Sequence, residues 1–471
     1  MSKNTETIRA WAEDNFGAAH LSDIRRIDRV VTIGEAMAVN AGKSIPQLFA
    51  SPYDVKAAYN LFKNEEATLE NIQAGHREKV RLTMTSKGIY LLIEDTTTMS
   101  WSGNEAIPGL GPIGNGKSGL QGFLMHSVIG VRWAPEIFNQ AVEKRPPVEI
   151  LGIVHQKYFV RQTGITHHGT ETNWFRKQRA RESTKWLESV TELGEAAAGV
   201  RYVHIGDREA DIYEYLWACY QQGHGYVVRA VQNRALVNEA GGTKEYLFEK
   251  AEKTPALGSF DLRLRSRGGQ AARTGRLKVS ATRVVLSPPK NSKGTQPLEC
   301  CLLRVWEEKA PEAVEALEWK LLTDLRVETF DQALECVLQY ATRWIIEEYH
   351  KALKTGMKAE DLQLEKADRL FAAIAIKSIV ALRLIDLKEQ VRIKETQPAE
   401  ESGLTELELK VLRKTSAKPL TTVKEAALQI GRLGGHMNRK ADGMPGWITL
   451  WRGMEKLRLL VEGVRMAQDL N

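Results

Sequence analysis

The chain has 471 residues, with 66 Lys and Arg against 59 Asp and Glu, a net charge of +7 that favours a polyanionic partner only weakly. Apolar residues at 43% and charged residues at 27% exclude disordered and collagen-like classes. Cys219, Cys300, Cys301 and Cys336 are too few and too unevenly spaced for a disulfide framework or a Cys-rich zinc module. A cytoplasmic protein is therefore expected, and no long apolar run or secretion-signal core argues otherwise.

Residues 1–70 read as helices, because IRAWAEDNF and RIDRVVTIGEAMAV carry apolar residues at three-to-four spacing. Ser44-Ile45-Pro46 and Ser51-Pro52 punctuate them. Ser22 or Asp23 caps the helix holding Arg25, Arg26 and Arg29. Those arginines are either a solvated face beside Asp28 or contacts to DNA phosphates and grooves. Residues 88–93 (GIYLLI) predict a strand ending at Glu94-Asp95, and 123–133 and 148–160 predict two more. A charged helix-like stretch follows over 172–193. Then come a strand at 200–205 ending at Gly206-Asp207, a helix at 210–220 and a strand at 226–231. Residues from about 232 to 318 alternate in short segments and suggest a β-rich insertion. Within it, Arg263 through Lys293 hold nine Lys and Arg and no acid, which reads as a solubilising surface or, preferably, a DNA backbone track. From about 330 the chain is helical. This order suggests an α/β core with insertions and helical ends.

Gly111 through Ser118 satisfy the phosphate-loop pattern, with Lys117 in the lysine position. That chemistry needs a strand before the loop and a helix after it. Here a loop-like segment precedes and a strand-like one follows, so a Gly-rich β-hairpin connection is expected and no nucleotide cofactor is invoked. His155, His167 and His168 lack the spacing and companions of a zinc site and are expected at the surface.

Three carboxylates stand out. Asp95 and Asp207 each close an apolar strand, where sites form in open α/β sheets, although an isolated strand-end Asp is also a good cap. Asp211 competes with Asp207 but is expected inside the next helix. The third comes from a helix opened by the capping box Thr329-x-x-Gln332. With Tyr340 at the origin and about 100° per residue, Arg343, Glu347, Lys351 and Lys354 share its face, while Glu348 turns toward the apolar edge. The plain alternative is a solvated face with i, i+4 ion pairs. Taken jointly, three carboxylates amid cations suit two Mg²⁺ ions that act on a phosphodiester whose neighbouring phosphates the cations hold.

Ile93-Glu94-Asp95-Thr96-Thr97, Asp207-Arg208-Glu209-Ala210-Asp211 and the spacing Y-x2-R-x3-E-x6-K at Tyr340, Arg343, Glu347 and Lys354 resemble the motifs of bacterial cut-and-paste DDE transposases. The match is to the insertion-sequence-four family and, within it, the transposon-five type. SDIRRIDR, WKLLT, IGRLGGHMNRK and GWITLW extend it over nearly the whole chain, while residues 134–180 and much of the insertion diverge. The resemblance implies an RNase H-like catalytic core over 71–390 with a β-rich insertion at about 232–318. It adds a helical end-DNA-binding domain over 1–70 and a helical dimerisation domain over 391–471. Asp95, Asp207 and Glu347 would be the catalytic and metal-binding triad for two Mg²⁺ ions, with Mn²⁺ as a substitute. Tyr340, Arg343 and Lys354 would hold phosphate, with Lys351 as a weaker addition. Arg229 matches a basic residue of the core, Trp319 an aromatic that stacks on a flipped base, and Trp344 lies on the signature helix. The implied partners are transposon-end DNA, target DNA and a second copy of the chain. The implied reaction nicks each end, closes a hairpin, opens it and joins the 3′ ends to the target. A DNA-binding regulator on the same scaffold is the alternative, and a nuclease without strand transfer is less favoured. The last helix, with Leu450, Leu457, Val461 and their neighbours, suits core packing or a dimer contact.

Overall fold

A computed structural model describes residues 8–103, 105–113, 120–134, 145–161, 184–237, 244–264, 273–290, 292, 296–312, 314–439 and 442–469. Among the described residues, one ten-stranded sheet organises the chain. Its strands are β1 (Gly88–Trp101), β2 (Gly111–Pro112), β3 (Gln121–Trp133), β4 (Glu149–Phe159), β5 (Val200–Gly206) and β6 (Gly225–Arg229), then β7 (Gly258–Leu264), β8 (Arg273–Leu286), β9 (Leu298–Glu307) and β10 (Glu318–Thr323). The order is β2-β3-β1-β5-β6-β10-β9-β8-β7, with β4 also on β3. β1, β3 and β4 pair antiparallel, and β5 and β6 run parallel to β1. Three antiparallel strands followed by two parallel ones form the RNase H-like core.

Tyr90 through Glu94 are buried without a break, as expected of a central strand covered on both faces. Leu91 and Ile93 face the helices Phe330–Ala341, Trp344–Lys351 and Ala367–Ile393. The last of these is buried along most of its length, including Leu370, Ile374, Ile376 and Leu384. Tyr90 and Leu92 face the other way, toward the side on which helices Thr184–Leu193 and Tyr213–Gln221 pack.

β1 is longer than expected. Its parallel pairing with β5 stops at Ile93↔Ile205, but its antiparallel pairing with β3 continues to Trp101↔Gln121. Thr96, Thr97 and Thr98 broke the apolar run that marked the strand, yet β-branched threonine suits a strand that is only partly covered. Asp95 therefore lies within β1, where its neighbour β5 departs, and not at the end of the strand.

The insertion is not a separate body. β10 pairs antiparallel with β6, so β7 to β10 prolong the same sheet. Four described cations of the basic stretch pair with acids on adjacent strands or nearby: Arg273 with Glu307, Arg276 with Asp261, Lys278 with Glu308 and Arg283 with Glu299; the exposed Arg263 and Lys290 are not among these pairs. For these four, acids outside the stretch supply the counter-charge. These pairs reduce the free positive charge expected of a DNA track; Arg265, Arg267 and Lys293 lie outside the described residues.

Gly111 and Pro112 pair with Gly122 and Gln121 as a hairpin leading into β3, and Lys117 lies outside the described residues. His155 corrects the surface assignment. It is buried on β4 with Nδ1 2.6 Å from Glu192, because β4 carries a helix against it. His167 and His168 lie outside the described residues.

At the N-terminal end, helices Ile8–Phe16, Ile24–Val39 and Pro52–Phe62 pack around Phe16, Ile33 and Phe62. At the other end, Glu406–Lys414, Val423–Leu433 and Trp447–Asp469 enclose their own core of Leu412, Ala426, Leu450, Leu457 and Val461. Leu459, Leu460 and Met466 of the last helix remain exposed. Cys219, Cys300, Cys301 and Cys336 are buried free thiols. Among the described residues, no helix is long and apolar enough to cross a membrane.

Candidate active site

The site forms where β1 and β5 part. Gly206 ends β5, and a Cβ there would lie 2.4 Å from the Ala210 side chain. Its absence lets the chain turn tightly through the 3-10 turn Arg208–Ala210. Asp207 caps that turn, accepting from Glu209 N at 2.8 Å, and its carboxylate remains partly exposed. Asp95 accepts from Thr96 N at 2.7 Å. Burial, and then the charge of Asp207, push the Asp95 carboxyl up to about 7. A carboxyl perturbed by burial and a neighbouring acid marks a candidate functional site.

Asp211 is not inside a helix, contrary to expectation. It sits between the 3-10 turn and helix Tyr213–Gln221, fully buried. There it accepts from Val231 N at 2.7 Å and Gln232 N at 2.8 Å and pairs with Arg234 at 2.7 Å. Its oxygens tie down the chain leaving β6, so Asp207 is the available acid of the pair.

The signature segment is not one continuous helix. The capping box at Thr329 and Gln332 is present, but helix Phe330–Ala341 gives way at Thr342-Arg343. There Thr342 N, Arg343 N and Ile345 N bond three residues back instead of four. This tighter winding turns the chain further per residue than the regular wheel assumed. A π-turn at Ala352–Gly356 then widens it again.

The face is nevertheless assembled. Arg343 forms a close ion pair with Glu347 and lies 3.8 Å from Asp95. Glu348 instead pairs with Lys388 of the long helix at 2.6 Å, on the packed side as expected. Tyr340 is buried near Arg229, whose guanidinium donates to the Glu318 carbonyl at 3.3 Å. Trp319 lies beside Tyr340, with ring centroids 6.3 Å apart. Lys354 donates to the Thr98 carbonyl of β1 and sits 3.5 Å from Glu360. Glu360, which the sequence did not single out, also accepts from Ser100 N at 2.8 Å and so ties the end of the signature segment to β1. Lys351 and Trp344 point outward, Trp344 being 43% exposed.

The three carboxylates are not gathered into a closed cage. Among the described residues, no three His, Cys, Asp or Glu side chains converge closely enough to hold a metal ion. Arg343 stands between Asp95 and Glu347, paired closely with Glu347 and 3.8 Å from Asp95. Asp95 and Asp207 present the oxygen donors that a divalent cation takes, while Glu347 is engaged by Arg343.

In the N-terminal helices, Asp23 is the cap, accepting from Arg25 N at 2.9 Å. Arg25 is widely exposed and pairs only with that same Asp23. Arg26 pairs with Glu66, and Arg29 pairs with Asp54, each at 2.7 Å. Of the three, Arg25 presents the most accessible charge.

Comparison with known families agrees at both ends of the chain. Residues 8–67 match the family described as Transposase DNA-binding, and residues 404–471 match the Transposase Tn5 dimerisation domain. The chain thus joins a DNA-binding module to a dimerisation module across an RNase H-like core. Both terminal matches support a Tn5-like transposase of the insertion-sequence-four family.

Proposed function

We propose that this transposase is a DDE enzyme that cleaves transposon-end DNA and joins it to target DNA through Asp95, Asp207 and Glu347. The observation that carries the reading is the Asp95 carboxyl, raised to about 7 by burial and by Asp207, beside an Arg343–Glu347 pair. Two Mg²⁺ ions, or Mn²⁺ in their place, would supply activation of a water or 3′-hydroxyl and charge neutralisation at the leaving oxygen.

The protein's own residues bind and orient the DNA. Arg229, Tyr340 and Arg343 line one side of the acids and are placed to hold the phosphates that flank the scissile bond. Lys354 extends that line from the far end of the signature segment. Trp319 offers a ring for a base displaced from the duplex, a contact worth about 1–3 kcal/mol. Arg25, with Arg26 and Arg29 behind it, contacts the end-DNA backbone, while Lys351 and the exposed Trp344 face the DNA path. The reaction runs from a nick at each end, through a hairpin, to 3′ ends that attack target DNA. Each step exchanges one phosphodiester for another or hydrolyses it, so no nucleotide cofactor is required. Such work places the protein in the bacterial cytoplasm, on nucleoid DNA.

The test is incubation with DNA carrying the inverted repeats that flank the gene, plus Mg²⁺, followed by denaturing gels. Hairpins and joined products are expected. Asp95→Ala, Asp207→Ala and Glu347→Ala should each bind ends and fail to cut; metal-dependent cutting by any one removes that residue from the triad. The engagement of Glu347 by Arg343 favours one second reading, a DNA-binding regulator that never assembles the triad. Binding without any cleavage would select it.

A further inference from the structure

Alternation along β1 puts Glu94 and Asp95 on opposite faces of the sheet. Asp95 faces the signature helices. Glu94 points into the other layer and is wholly buried. Its Oε1 accepts from Tyr215 Oη at 2.8 Å and is in close contact with His204 Nδ1. Its Oε2 accepts from Ser189 Oγ at 2.7 Å and lies 3.4 Å from His126 Nε2. These partners come from helix Tyr213–Gln221, β5, helix Thr184–Leu193 and β3. One carboxylate therefore joins four elements to β1.

The proton arrangement follows from the far end of the chain of contacts. The Gly194 carbonyl can only accept, so His224 Nε2, 2.8 Å away, carries a proton. Burial and His204 push His224 down to about 4, so its ring is neutral and Nδ1 accepts. His204 Nε2, at 3.0 Å, must then donate to it. His204 thus links Glu94 to His224, and its close contact with Glu94 is a buried bridge between β1 and β5. His204 lies three residues before Asp207, and Glu94 lies one before Asp95. His126 also contacts Thr96, on the other side of Asp95, at 3.0 Å.

We propose that Glu94 is a positioning residue, whose buried pair with His204 fixes the two strand segments that carry Asp95 and Asp207 and so sets the spacing of the two carboxylates. The proposal rests on the reading of Asp95 and Asp207 as metal-holding acids. Nothing in this cluster touches DNA or the reacting atoms. Its effect is to prevent β5 from sliding or splaying from β1 just before the point where the strands part. Without that constraint, the acids would have to be brought into register by the cation itself.

The test is Mn²⁺ binding to the full chain, read by the loss of the free-ion resonance signal, with end-DNA binding measured in parallel. Glu94→Gln should weaken Mn²⁺ binding by about tenfold, the lower range for residues that support metal ligands, and leave end-DNA binding unchanged. Leu302→Ala, a cavity in the insertion layer, serves as a stability control and should leave Mn²⁺ binding unchanged. If Glu94→Gln does not fold, Tyr215→Phe and Ser189→Ala each remove one hydrogen bond and should each weaken binding measurably. Wild-type Mn²⁺ affinity in the folded Glu94 variant, or in both substitutes, overturns the proposal, as does an equal loss in Leu302→Ala. Asp95→Asn separates the two failures. If it keeps wild-type Mn²⁺ affinity, the metal reading itself is wrong. If it loses Mn²⁺ while Glu94→Gln does not, only the positioning role is wrong.

Discussion

Replacing Asp95 by Asn changes the charge at the centre of the site while keeping its shape. Burial and Asp207 raise the Asp95 carboxyl from 3.8 to about 7. A group whose folded-state pKa exceeds its unfolded value binds more protons when folded. Its contribution to stability is complete below about pH 4 and is lost as pH rises through about 7. The shift is about 3 units, and at about 1.36 kcal/mol per unit the full loss is about 4 kcal/mol. The Asp95 side chain is only 17% exposed, so solvent screening reduces this little. Part of the loss has already occurred at mildly acid pH, which leaves about 2–3 kcal/mol between about pH 5 and about pH 8. Urea unfolding in EDTA at those two values should therefore show the wild type losing that much stability relative to Asp95→Asn. Adding Mg²⁺ at the higher pH should restore the wild type and not the variant, because the cation then takes the place of the proton. Parallel pH profiles for the two proteins would refute the coupling of Asp95 to Asp207 and, with it, the main physical support for a cation between them.

The two adjacent glutamates of the signature helix should separate cleanly. Glu347→Gln abolishes strand cleavage on gels with end-DNA binding intact. Glu348→Ala strands Lys388, lowers stability by about 3 kcal/mol in a melt, and leaves cleavage detectable. Arg234→Met leaves buried Asp211 unpaired and should cost about 3–5 kcal/mol of stability, measured by chemical unfolding; no loss would return Asp211 to the list of available acids. Arg276→Ala with Arg283→Ala should leave nonspecific DNA affinity and its salt slope unchanged, since both arginines are neutralised by acids on adjacent strands. A slope reduced by about 2 would instead show two phosphate contacts. Trp319→Ala should reduce hairpin formation more than the first nick, and an equal loss at both steps would argue against stacking on a displaced base.

The parts of the site that were legible in the sequence are those fixed by backbone direction. An apolar run that stops at an acid marks where a strand leaves the buried layer. Both Asp95 and Asp207 carried that mark, and the structure brings them together because β1 and β5 run parallel and part there. The Glu347 face was legible for a similar reason: residues four apart on a helix stay neighbours even after an irregular turn upstream, so Arg343 reaches Glu347 despite the break at Thr342. What escaped the sequence depends on partners from distant segments. Three threonines hid the second half of β1, since only β3 beside them shows that they continue a strand. A stretch without acids looked like a cationic surface, since the counter-charges of four of its cations sit on the adjacent strands β7 and β9 and just beyond β9. His155 and Asp211 looked like surface or helical residues, since nothing local reveals Glu192 or Arg234. Glu94 is the sharpest case. A glutamate beside an aspartate at a strand end gives two candidate acids, and only the alternation of β1 assigns one to the site and the other to the histidines behind it. The same register that exposes Asp95 to the signature helix therefore buries Glu94, and a one-residue slip of β1 would exchange the two roles and remove both.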